Sequence, residues 1–153
     1  MHTSYRLARL MDAEELTIMS MELYSEISNR KDFTDNKIVA TLRFYEQHRH
    51  MGEVLMIECD GGLAGYSIIF RFWSHEYGGL MVGVDELYIK KKYRRSGTAR
   101  QFIALLIASE CMHPHYVGIE LEAHSSNTLA NKLFASVGIP KNDYSRYIKL
   151  HKS

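Results

Sequence analysis

Residues 84–108 restrict the fold more than any other stretch. Val84-Asp85-Glu86-Leu87-Tyr88-Ile89 reads as a strand, Arg94-Arg95-Ser96-Gly97-Thr98-Ala99 as a tight turn, and Phe102 to Ala108 as the apolar body of a helix. A strand that passes through a glycine-containing loop into a helix N-terminus gathers unpaired backbone N–H groups at one place, and that place suits phosphate oxygens.

The rest of the chain can be arranged around this unit. Residues 4–10 alternate as a first strand, and Asp12 with Glu15 forms a capping pair for a helix over 13–28. Leu16, Met19, Leu23 and Ile27 give that helix a buried stripe, with Glu15, Glu22 and Glu26 on or near its other face. Ile38, Leu42 and Tyr45 suggest a second helix near 35–49. The period then changes to that of strands: 54–59, a turn at Asp60-Gly61-Gly62, 64–73, a turn at Gly78-Gly79, and 80–90. A helix over 98–112, a strand over 115–123, a helix from Asn127 stopped by Gly138 and a closing strand over 144–151 complete the reading. The fold class expected is α+β: one domain over 1–153 with a mixed, mostly antiparallel sheet flanked by helices, and at least one parallel crossover.

Composition narrows the class further. A chain of 153 residues with 46% hydrophobic content suffices for one core, and a formal net charge of +1 argues against bulk attraction to nucleic acid or membrane surfaces. Cys59 and Cys111 form no paired motif, so buried free thiols in a reducing cytoplasm are expected. No window approaches the ~18 apolar residues of a membrane span. The pairs His48/His50 and His113/His115 lack a completing acid or cysteine cluster, so no metal is expected. The eight methionines read as flexible core filling. Neither G-x-G-x-x-G nor G-K-[ST] occurs, which argues against a dinucleotide fold and a P-loop.

Together, Arg94-Arg95-Ser96-Gly97-Thr98-Ala99, the strand Asp85-Glu86-Leu87-Tyr88-Ile89 and the stretch Asn127 to Phe134 with Gly138 resemble the GCN5-related N-acetyltransferases, from about residue 5 to residue 150. The loop matches that family's R/Q-x-x-G-x-G/A motif, with Ala99 in the place of the second glycine. The resemblance is closest in flavour to polyamine and aminoglycoside acetyltransferases. It implies acetyl-CoA as co-substrate, direct attack by an amine in a ternary complex, a fourth and fifth strand that run parallel and splay apart, and a homodimer as one allowed state.

The chemistry assigns expected roles. Amides from Arg95 to Arg100, with Gly97 allowing close approach, would hold the CoA pyrophosphate, and Lys90, Lys91, Lys92, Arg94, Arg95 and Arg100 add positive charge; the alternative for these side chains is a solvated basic turn. By resemblance, the cofactor set is Leu87, Tyr88, Ile89, Arg94, Arg95, Ser96, Gly97, Thr98, Ala99, Arg100, Asn127 and Phe134, with one amide among Leu87, Tyr88 and Ile89 stabilising the developing oxyanion. A protonated alkylamine needs a base. Glu86 is the first candidate and Asp85 the second, on opposite faces of their strand, so that only one would meet the reaction centre. Phe134 stands where many relatives carry the tyrosine that reprotonates the thiolate; Tyr144 or Tyr147, or water, would take that role. Glu22, Glu26, Asp32, Asp35 and Glu76 are candidate attractants for a cationic small-molecule amine, and Trp73 and Tyr77 candidate walls. A protein amine as acceptor, a CoA-binding module without turnover and a nucleic-acid patch over Lys90–Arg95 are the competing readings.

Overall fold

Apolar residues that alternate along the chain build a sheet whose strands lie in sequence order. The computed structural model describes residues 1–27 and 35–151, and at 35 and 36 the backbone alone. Strand β1 (Thr3–Leu7) leads through a 3₁₀ turn into helices α1 (Ala13–Ile27) and α2 (Asp35–Gln47). A meander of β2 (Gly52–Cys59), β3 (Gly62–Ser74) and β4 (Gly79–Ile89) follows, then α3 (Thr98–Glu110), β5 (Tyr116–Leu121) and α4 (Thr128–Ser136). The sheet order is β1-β2-β3-β4-β5, antiparallel throughout except for the parallel β4–β5 pair that the α3 crossover makes possible.

Two apolar layers sandwich this sheet. On one face Leu55, Ile57, Val82 and Val84 meet Phe102, Ile103 and Leu106 of α3; on the other Val54, Met56, Tyr66 and Tyr88 meet Leu16 and Met19 of α1 and Ile38 and Leu42 of α2. Alternation along β2 assigns Val54 and Met56 to one layer and Leu55 and Ile57 to the other, as a period of two requires. In β4 the assignment changes hands midway. Val82 and Val84 belong to the α3 layer, whereas at the even position Tyr88 it is the α1–α2 layer that receives the side chain, and Ile89 returns to the α3 layer. The cause is a β-bulge: Ile69 pairs with Val84 and Ile68 with Glu86, so Asp85 is an extra residue without a partner.

Of the two cysteines expected to be buried, Cys59 is, whereas Cys111 is exposed because it lies just past the end of α3; two elements also depart from the sequence reading. Asp12 is not paired with Glu15; its carboxylate accepts from the backbone N–H of Arg9 at 2.8 Å and binds Arg6 at 2.9 Å. Among the described residues no strand follows β5, and Tyr144–His151 carries no regular structure. Its apolar alternation finds no ladder to join: Tyr147 is 92% exposed, and the segment is tied down through Tyr144 to Glu76 and Arg146 to Glu122.

Candidate active site

Between β4 and α3 the chain makes the strand, turn and helix N-terminus that its sequence suggested, a shape suited to an anion. Lys91–Tyr93 make a 3₁₀ turn, Arg95 takes a left-handed φ of 60°, and Gly97 caps α3 at φ 89°. The first amide bonded back at the start of α3 is that of Gln101, to the Gly97 carbonyl at 2.9 Å. Among the described residues the amides of 95–100 have no acceptor, and they converge with the positive end of α3. A pyrophosphate fits such a cradle without a metal.

The motif's side chains mostly build the loop. Arg94 turns back, with Nε donating to the Ile89 carbonyl at 2.7 Å, Nη2 on Glu26 at 3.0 Å and its guanidinium over the Tyr88 ring. Ser96 Oγ donates to the Tyr93 carbonyl at 2.6 Å and lies 2.9 Å from Thr98 Oγ1, which is buried. Arg100 reaches the Ser136 carbonyl of α4 at 2.7 Å. Asn127 caps α4, its side chain accepting from the Ala130 N–H at 3.1 Å, and Phe134 packs on the α3 core layer.

The bulge at Asp85 also ends the partnership of β4 and β5. Their register runs from Leu80 and Tyr116 to Val84 and Leu121, and beyond it Asp85–Ile89 has only β3 as a neighbour. Lys90 N–H donates to the Ala64 carbonyl of β3 at 2.8 Å. By the alternation of an antiparallel ladder, the amides of Leu87 and Ile89 then face the opened side, while that of Tyr88 faces β3. Strand β4 therefore offers backbone donors along a splayed flank that runs toward the anion cradle.

On the α1–α2 face of β4 lies an open cleft of about 480 Å³, within the range of small-molecule sites at about 300–1,000 Å³. Tyr24, Phe44 and Tyr45 form its walls, Ile38 and Ile68 its apolar base, and both Asp85 and Glu86 line it. The expected division of these two acids between opposite faces is thus corrected, because the bulge places consecutive residues on one side. Burial and then the Asp85 charge raise the Tyr45 hydroxyl above its ordinary range, as that shared side demands.

Glu86 is held as no surface acid would be. Its carboxylate accepts from Tyr24 at 2.5 Å and from Tyr66 at 2.6 Å, with Tyr66 fully buried. Burial pushes the Glu86 carboxyl above the usual range, the tyrosine hydrogen bonds oppose that shift, and Asp85 adds to it. Asp85 itself is exposed on the cleft wall.

Several expected site residues lie elsewhere. Glu15, Glu22 and Glu26 remain open to solvent on one side and on the other bind Lys90, the Tyr88 hydroxyl and Arg94, lacing α1 to the end of β4 and the loop beyond it. Lys90 and Arg94 are thereby neutralised within the basic run that a nucleic-acid patch would need. Glu76 accepts from Tyr144 at 3.0 Å in the β3–β4 turn, with Trp73 and Tyr77 exposed at that same end. Gly79 and Glu86 are seven positions apart at about 3.3 Å each, so Tyr144 is not brought to the Glu86 carboxylate. Tyr147 is exposed and clear of the cleft. Asp32 lies outside the described residues, as does the side chain of Asp35.

The sequence reading missed Tyr24, Tyr66, Phe44 and Tyr45. None of them left a local signal, since Tyr24 and Tyr66 meet Glu86 only through the fold. Among the described residues no group of three or more His, Cys, Asp or Glu is placed to hold a metal, and no helix is long and apolar enough to cross a membrane.

Solved structures share this architecture. A possible acetyltransferase from Clostridium difficile 630 superposes with a TM-score of 0.81 at 17% identity, covering 99% of each chain. A ribosomal-protein-alanine N-acetyltransferase from Brucella melitensis biovar Abortus 2308 gives 0.74 at 24% identity, over 99% of this chain and 100% of that one. AAC(6′)-Iy, in complex with the bisubstrate analogue CoA-S-monomethyl-acetylneamine, gives 0.78 at 14% identity, again over 99% and 100%. At these identities the likeness establishes the fold. No curated protein matches in sequence. The sequence pattern of the acetyltransferase (GNAT) family matches residues 14–139, which span α1, both carboxylates, the cradle and α4. The chain belongs to the acetyltransferase (GNAT) family and is an acetyl-CoA-dependent N-acetyltransferase.

Proposed function

We propose that the acceptor is the primary amine of a small molecule bound in the cleft between α1, α2 and β4, attacking the donor directly in a ternary complex. The observation that carries this reading is the bulge at Asp85, because one extra residue both frees the flank of β4 from β5 and turns two carboxylates into the cleft. Acetyl-CoA, when bound, supplies a thioester carbonyl open to attack by an amine. The amides of 95–100 hold its pyrophosphate, and the Leu87 amide is placed to stabilise charge developing on the carbonyl oxygen.

The two acids divide the remaining work. Asp85, exposed, draws in the ammonium. Glu86 is the base, reached through Tyr24: as the hydroxyl takes a proton from the amine it passes its own to Glu86, leaving the tyrosine neutral and the amine free to attack. The shift imposed by burial suits Glu86 to this role, since it moves a carboxylate toward the working pH. Phe134 offers no proton, so the departing thiolate takes one from solvent. Polyamine- and aminoglycoside-like cations are the acceptors that the sequence resemblance suggests within this class.

Thiol release measured with acetyl-CoA and a panel of amines tests the assignment. Glu86→Gln and Tyr24→Phe lower kcat by about 10²-fold or more, the contribution of a positioned base. Asp85→Asn chiefly raises KM for the amine. Equal kinetics in all three variants refute these roles, and acetylation of protein amines alone would move the acceptor class from small molecule to polypeptide.

A further inference from the structure

Within that small-amine reading, on which this step rests, we infer that the acceptor is a monoamine with an aromatic or similarly flat apolar body, and not a polycation. The lining of the cleft carries three rings, and its three charged side chains are two acids and one lysine. Tyr24, Phe44 and Tyr45 stand around it over the base of Ile38 and Ile68. Phe44 meets Tyr45 edge-on at 5.5 Å and stacks on His48 at 4.4 Å, so its ring is braced from behind, yet it remains 44% exposed. A braced aromatic ring left open on a concave wall suits a flat apolar partner, and rings beside a carboxylate also suit one ammonium.

Charge points the same way. A polyamine or aminoglycoside needs several carboxylates, but Glu15, Glu22 and Glu26 are engaged by Lys90, Tyr88 and Arg94, and Glu76 lies in the β3–β4 turn with Tyr144. Of the two acids that line the cleft, Glu86 is enclosed by two tyrosine hydroxyls, which leaves Asp85 as the exposed one among the described residues. The other charged side chain on the lining is a lysine, Lys37. Asp85 also borders a smaller neighbouring cavity with Glu120 and with Glu122, which Arg146 pairs, but on the lining of the cleft itself one accessible carboxylate balances one ammonium.

The test compares 2-phenylethylamine, n-hexylamine, spermidine and neamine as acceptors for the full chain with acetyl-CoA, each followed by thiol release and by mass of the product. The expected order places 2-phenylethylamine first, with kcat/KM at least about tenfold above spermidine, the range over which an apolar pocket discriminates. Phe44→Ala, at a part-exposed position, raises KM for 2-phenylethylamine severalfold while KM for acetyl-CoA stays as it was. Equal or reversed preference between 2-phenylethylamine and spermidine overturns this inference and leaves the small-amine assignment standing. Acetylation of none of the four, with acetyl-CoA still raising the melting temperature, overturns the small-amine assignment as well.

Discussion

At the residue scale, Glu86 shows what burial does to a carboxylate that two hydroxyls keep in place. Because burial raises its pKa, the folded chain holds that proton at a higher pH than the unfolded chain, so the ionised form works against folding. That penalty is greatest above the folded pKa and disappears as pH falls through it toward the ordinary value of about 4.3. Glu86→Gln removes it. The variant's stability relative to the parent is therefore expected to be highest near pH 8 and to decline steadily toward pH 4, as measured by urea denaturation across that range. A pH-independent difference would mean that the environment of Glu86 does not favour the protonated form.

At the element scale, the start of α3 makes the sharpest claim. Gly97 sits at φ 89°, and a Cβ there would lie 3.3 Å from Met1 Cε, the end of a flexible side chain. The backbone and not the neighbour is thus the obstacle, and a left-handed non-glycine residue costs about 1–2 kcal/mol. Gly97→Ala is expected to lower the melting temperature by a few degrees and to raise KM for acetyl-CoA, with KM for the amine little changed. This cradle was legible in the sequence because strand, turn and helix are contiguous, so that local composition alone defines it. The acceptor cleft was not. Tyr24 meets Glu86 across 62 positions and Tyr66 meets it across 20, and no local pattern marks either hydroxyl. The acids of α1 do lie off its apolar stripe, but their partners were hidden for a related reason: helical periodicity separates an apolar stripe from a polar one and does not tell whether the polar one also meets the basic end of another strand.

At the scale of the molecule, two core layers on one sheet make the donor and acceptor sides mechanically continuous. Phe102 is fully buried in the α3 layer and meets Tyr5 edge-on at 5.7 Å. Phe102→Ala is expected to cost about 3–5 kcal/mol in a chemical denaturation experiment, since it removes transfer energy and leaves a cavity. The alternation of apolar residues fixed β2 and most of β3 and β4 correctly, and failed at position 85 because a bulge leaves no trace in residue type. It failed again over 144–151, where alternation was present and a pairing partner was not.

An extra residue in a strand differs in kind from a special side chain. Substitution at position 85 changes chemistry at one point, whereas deletion of Asp85 would restore a regular ladder in which Val84 still faces Ile69 and Glu86 still faces Ile68. Leu87, Tyr88 and Ile89 would keep their partners and faces, while the cleft would lose its exposed carboxylate together with the bend that an extra residue gives the strand. Chain length is therefore a hidden variable of this protein. A library of point variants can change the acid at this position but not the bend, while a single-codon deletion would remove both together.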